Sequence, residues 1–177
     1  DDRHYRGLGG RLQPILDTIR WLHDAGIWLE IVTLLIPGFN DSDTELRGLT
    51  QFIASVSPDI PWHVTAFHQD YKMTDPANTT ASDLQRAATI GREAGLRFVY
   101  AGSLPGRVGG LEDTHCASWG EALVARYAYL IREYNLTKDG GCPRCGTRAP
   151  GRWSAGFEGQ RTSHPFLPSD RTRLSVF

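Results

Sequence analysis

The sequence predicts an α/β protein: βα units with a parallel sheet, followed by a separate cysteine-bearing β segment. Three observations carry this expectation. Amphipathic stretches of helical period alternate strictly with short apolar runs. The runs begin near residues 28, 62 and 97, about 34 residues apart, the length of one βα unit. After residue 101 the alternation stops, and a Gly-rich connector leads into a stretch that holds all three cysteines of the chain.

Composition narrows the class. The 177 residues are 40% hydrophobic and 22% charged, which describes a globular chain with a core. A formal net charge of -1 gives no electrostatic reason to expect nucleic acid or an acidic membrane surface. No apolar run approaches the ~18 residues of a membrane span. An odd cysteine count with one C-x-x-C suits a reducing compartment, so the expected location is the cytoplasm.

Taken in order, Leu12, Ile15, Leu16, Ile19 and Leu22 mark an amphipathic helix with Pro14 in its first turn and Gly26 placed to end it. "IWLEIVTLLIP" then reads as a strand buried on both faces and closed by Pro37. Ser42 and Glu45 have capping-box spacing ahead of a helix marked by Leu46, Leu49, Ile53 and Val56. "WHVTAF" at 62–67 is the second strand. Thr80 and Asp83 suggest another cap for a helix from about Ser82 to Ala94, and "RFVY" at 97–100 is the third strand. Three such units form only part of a barrel or doubly wound sheet, since a full eight-unit barrel needs roughly 250 residues. The first strand would expose an apolar edge, which points to missing upstream structure.

The division expected is therefore 1–105 for the partial barrel, 106–153 for the cysteine segment and 154–177 for a disordered Ser/Arg/Gly/Pro-rich tail. Between the cysteines, the polar-aromatic stretch suits a β-hairpin, although the period of "EALVARYAYLI" also fits a helix.

In parallel α/β folds functional groups gather at the carboxyl ends of strands. There stand Asn40 and Asp41 in "LLIPGFND", and His68, Tyr71 and Lys72 in "AFHQDYKM". Asn40 also suits a plain turn. His63 lies at the amino end of its strand, the stability end in barrels, so His68 is the better candidate. Glu30 interrupts an apolar strand and calls for a partner, most simply a structural one. No G-x-G-x-x-G follows a strand, and there is no P-loop. "GGCPRCG" at 140–146 has the form of half a tetrahedral zinc site. Cys116 opens "CASWG", where Trp119 stands in place of a second cysteine. With Cys116, Cys142 and Cys145 as metal ligands, His115, Asp139 or water would have to complete the tetrahedron.

Together, "YRGLGGRLQPILDTIRWLHDAGIWLEIVTLLIPGFNDSDTEL", "PWHVTAFHQDYKMTD", "ATIGREAGLRFVYAGSLPG" and the terminal "CPRCG…PGRW" resemble the AmmeMemoRadiSam-system radical SAM enzymes, relatives of the pyruvate formate-lyase activating enzymes. The resemblance spans residues 1 to about 153. It implies a partial (β/α) barrel, with S-adenosylmethionine and a 4Fe-4S cluster as cofactors and a terminal C-x-x-C…C-x-x-C zinc ribbon. The implied activity is reductive cleavage of S-adenosylmethionine to a 5′-deoxyadenosyl radical that abstracts hydrogen from a substrate. It further implies that His68, following Phe67 at a strand end, helps bind S-adenosylmethionine, with His63, Asn40 and Lys72 as further cofactor-binding candidates. The implied partners are the missing N-terminal half of the barrel and a substrate, a protein in the glycyl-radical-activating branch.

The chain departs from the family in three places. The cluster loop C-x-x-x-C-x-x-C is absent, so residues 1–177 alone are expected to be inactive. Gln69 replaces the proline of "FHPDYKM", and the first ribbon knuckle has lost a cysteine at Trp119. A different class of function, a zinc-ribbon-bearing α/β module that binds protein or nucleic acid, competes with the enzyme reading.

Overall fold

The structure, a computed structural model, describes residues 1–153; the tail expected to be disordered lies outside them. A short helix α1 (Asp2–Gly7), absent from the sequence reading, precedes α2 (Leu12–Asp24). Then come β1 (Ile31–Leu35), α3 (Asp43–Val56), β2 (Trp62–Ala66), α4 (Ala81–Glu93) and β3 (Val99–Gly102). The three strands are parallel in the order β1-β2-β3 and form an open sheet rather than a closed barrel.

The helix signals act much as their chemistry requires. Gly26 takes φ +68 just past α2, a conformation that costs an L side chain energy. Thr80 and Asp83 make the full reciprocal capping box of α4. At α3 only half of the expected box forms: Ser42 accepts from the Glu45 amide at 3.3 Å. The Glu45 carboxylate turns instead to His4 Nδ1, 3.0 Å away on α1.

Strand alternation sorts the side chains between two faces. Trp62, Val64, Ala66, Val99 and Ala101 go to the helix-covered face and join Leu46, Ile53, Leu84 and Ala88 in one core. Trp62 is fully buried, and its Nε1 donates to Thr33 Oγ1 at 2.9 Å. On the other face β1 exposes Val32 at 66% and Leu34 at 46%. The expectation that this strand is buried on both faces is corrected: it is covered by the structure on one face and sits at the sheet edge. At the strands' carboxyl ends, buried Thr79 ties the units together. Its hydroxyl donates to Leu35 O at 2.5 Å and accepts from the Phe67 amide at 3.0 Å.

Beyond the connector a 3₁₀ turn (Gly109–Glu112) leads into β4 (Thr114–His115), β5 (Ala122–Tyr127) and β6 (Leu130–Tyr134). These strands form an antiparallel sheet in that order. "EALVARYAYLI" is thus a hairpin, with Ala128 at φ +51 in its turn. Local periodicity allowed the helix, and strand pairing overrides it.

Gly91 of α4 faces the Trp62 ring so closely that an added Cβ would lie 2.8 Å from it. Gly91→Ala should therefore destabilise the protein by about 1–3 kcal/mol through overpacking. The helix-propensity gain of about 1 kcal/mol acts in the opposite direction. Denaturant unfolding of the two proteins measures the balance, and an equally stable variant would show that the indole can shift aside.

Candidate functional site

Two places in the molecule gather chemistry-bearing side chains. One is the three-cysteine cluster of the β module. The first knuckle is Cys116–Gly120, where Gly120 N donates to Cys116 O at 2.8 Å and Cys116 N donates to Glu121 O at 2.8 Å. The second is Cys142–Gly146, with the same bonds: Gly146 N to Cys142 O at 2.8 Å and Cys142 N to Thr147 O at 2.9 Å. The closing glycines take φ +72 and +73, which explains why both knuckles carry Gly there. The two turns have the same backbone design, and the hairpin between them brings them face to face.

As a result the sulfurs of Cys116, Cys142 and Cys145 lie within 4.8 Å of one another, and Cys116 Sγ is 3.5 Å from Cys145 Sγ. Such a group can hold a metal ion, and a soft or borderline one suits three thiolates. Cys116 and Cys142 are buried with Leu123 and Ala149, whereas Cys145 is exposed. Burial pushes the Cys116 thiol up, against amide hydrogen bonds from Ser118 and Trp119. The Thr147 hydroxyl, 3.2 Å from the Cys145 sulfur, and the Thr147 amide bring that thiol down to about 7.

The other ligand candidates are held elsewhere. The Asp139 carboxylate accepts from Thr137 Oγ1 at 2.6 Å, and the His115 ring faces Gly110. Neither joins the cysteine group among the described residues. Trp119 is 55% exposed, with Arg144 stacked 4.0 Å over its ring. It does not cover the cluster as a buried lid.

The second place is the uncovered face of the parallel sheet. In the strand register Val32, His63 and Tyr100 are neighbours, with Glu30 just ahead of β1. His63 Nε2 lies 2.7 Å from Glu30 Oε2, and the His63 ring stacks on Tyr100 with centroids 4.8 Å apart. Tyr100 Oη is 3.0 Å from Thr114 Oγ1, which also accepts from Arg126 at 2.7 Å. Together with Trp28 and Trp153 these residues line a cleft of about 840 Å³ between the sheet and the β module. The His63 hydrogen bond holds the Glu30 carboxyl below its ordinary value, against desolvation. Burial pushes the Tyr100 phenol up. Glu30 has a partner, but it lies just ahead of β1 and is exposed, so the expectation that it sits inside the apolar strand is corrected. The cleft itself was not legible in the sequence, because its wall comes from residues 112–153.

The strand-end candidates stand apart from both places. His68, at the carboxyl end of β2, is exposed, as are Tyr71 and Lys72. Asn40 is occupied by the turn: its Oδ1 accepts from the Ile36 amide at 2.8 Å, and its Nδ2 donates to Leu34 O at 2.9 Å. Gln69 does what proline cannot. Its amide N–H donates to Asn78 Oδ1 at 2.7 Å, while its side chain donates to Thr74 O and Pro76 O, closing the loop that carries His68.

Fold and site together define a βα-unit protein with an appended three-cysteine β module. No family model matches the chain. It is 34% identical over 139 residues to the uncharacterized protein MJ0808 of Methanocaldococcus jannaschii. That alignment takes in 77% of this chain but only 41% of the relative, so the chain matches less than half of the relative's length. Among the described residues no helix is long and apolar enough to cross a membrane.

Two outcomes follow. Purified protein should bind one zinc, and Trp119→Cys, which adds a fourth sulfur on an already formed knuckle, should raise zinc affinity and melting temperature together. Purified protein without zinc, or a zinc affinity and melting temperature that both stay flat in the variant, would mean the site is a relic. The Glu30 carboxyl titrates lower in the folded than in the unfolded chain, so its stabilisation is full above its ordinary value of 4.5 and disappears as pH falls through the depressed folded value. The melting-temperature gap between wild type and Glu30→Gln should accordingly close in acid; a gap constant down to strongly acidic pH would rule out the carboxylate as its source.

Proposed function

We propose that this chain is the C-terminal portion of a radical SAM enzyme of the glycyl-radical-activating kind, with a terminal metal-binding module derived from a zinc ribbon. The observation that carries the reading is the order of parts: parallel βα units, Phe67-His68 at the carboxyl end of β2, then a two-knuckle module with three clustered cysteines. The likeness to a much longer relative agrees with a chain that acts as part of a larger whole.

The chain's own cysteines do not fit the radical cluster. Cys116, Cys142 and Cys145 come from two knuckles rather than from one C-x-x-x-C-x-x-C loop, and residues 1–177 contain no such loop. In this reading a cluster loop outside residues 1–177 would supply the iron-sulfur chemistry, and residues 1–177 would serve to bind and orient. The free edge of β1, at the end of the β1-β2-β3 order, is where the N-terminal half of the barrel would pair. His68 sits at the strand end with its ring exposed and free to donate to a carboxylate or ribose of S-adenosylmethionine. The three thiolates fit zinc, which would fasten the module's two knuckles.

The competing reading is a metal-bearing α/β module that binds another protein or nucleic acid. Near-neutral net charge argues against nucleic acid. In a full-length enzyme assembled from both halves, His68→Ala should weaken S-adenosylmethionine binding by about 1.5–3 kcal/mol, the range of a charge-assisted hydrogen bond. Calorimetric titration provides the measurement. Unchanged affinity would remove His68 from the site and move attention to His63 on the open face.

A further inference from the structure

The two knuckles are the same turn, so residue 119 occupies the place that residue 145 occupies in the other. A tryptophan there brings no lone pair to a metal, because its indole nitrogen only donates. His115 and Asp139 face other partners, and no fourth His, Cys, Asp or Glu joins the group among the described residues. A tetrahedral ion on three sulfurs is then one ligand short among the described residues. The shortfall lies on the outside of the module: residues 117–120 and 143–146 are all exposed, while Cys116 and Cys142 are buried beneath them.

Charge decides what the position favours. Three thiolates around a dication leave one net negative charge. The Arg144 guanidinium stacks on Trp119, between the second knuckle's two ligands in sequence and beside the residue that replaces the missing sulfur. Its partner Glu121 is 3.5 Å away, and both side chains are about half exposed, which leaves the cation weakly compensated. A positive charge next to a soft three-sulfur site favours a soft anionic donor over a neutral nitrogen.

We propose that a metal held by Cys116, Cys142 and Cys145 keeps one exchangeable coordination position beside Trp119 and Arg144, and that this position takes a small exogenous thiolate. This rests on the metal-binding reading of the cluster. The exchange is balanced without an oxidant: a bound water leaves, the thiol's sulfur binds the metal, and its proton goes to solvent.

Cobalt(II) loaded in place of zinc reports the ligand set through its visible spectrum. With one equivalent bound to the whole chain, 2-mercaptoethanol should produce saturable growth of sulfur-to-cobalt charge transfer, with cobalt content unchanged after desalting. Imidazole should bind about tenfold or more weakly. Trp119→Cys should show the four-sulfur spectrum from the start and no response to added thiol, whereas Arg144→Gln should keep the cobalt and lose the preference for thiolate over imidazole. Cobalt bound but indifferent to thiol would overturn the open position and leave the metal site standing. Failure to take up cobalt or zinc at all would overturn the metal site, and this proposal with it.

Discussion

The Trp62 indole lies fully buried between Thr33 of β1 and Gly91 of α4, hydrogen-bonded to the one and in contact with the other. Because a strand alternates its side chains, fixing Trp62 toward the helices fixes His63 and Thr65 toward the uncovered face. A slip of one residue would place an imidazole in the core and the indole in the open. The Ile31–Trp62–Val99 row thus sets the register, and the Val32–His63–Tyr100 row opposite follows from it. The Glu30–His63 pair and the Tyr100 stack are consequences of where a large aromatic is buried.

The β module is organised on a different principle. Its buried cluster consists of Cys116, Leu123, Cys142 and Ala149, with Leu136 and Trp153 against it, and two of its four buried members are cysteines. So small an apolar interior stabilises little by itself, and modules of this size usually depend on a metal or a disulfide. Each knuckle is shaped by its own backbone hydrogen bonds and closing glycine. The sulfurs are brought together by the β5–β6 hairpin between the knuckles, not by any attraction among themselves. That separation of tasks explains how the first knuckle keeps its turn after losing a ligand at Trp119.

The two parts meet through Val108 and Leu111, which join the buried core of the sheet, and through polar side chains. Thr114 accepts from Arg126 and pairs with Tyr100, so the module is anchored on the third strand of the sheet next to the Glu30–His63 pair. Loss of order in the module would therefore reach the wall of the open-face cleft. The strand-end loop bearing His68 is held separately, by Thr79 and by the Gln69 side chain, and does not depend on that anchor.

The sequence alone determined the βα alternation, the helix ends at Gly26 and at the Thr80–Asp83 box, and the pairing of Cys116 with the distant C-x-x-C. Each is written in local chemistry: a period, a backbone conformation, or a ligand type at fixed spacing. Only the tertiary structure decided that Glu45 turns to His4 rather than closing its own cap, and that Asn40 is spent on the Ile36 amide. The same holds for the hairpin at "EALVARYAYLI" and for His63, which proved to be an open-face residue instead of a mere strand-start histidine. In each case two local arrangements lie close in energy, and contacts from residues far along the chain choose between them. The cleft around Glu30, His63, Tyr100 and Arg126 belongs to that second class, because the sheet brings the first three together and Arg126 joins them only when the module folds back onto the sheet.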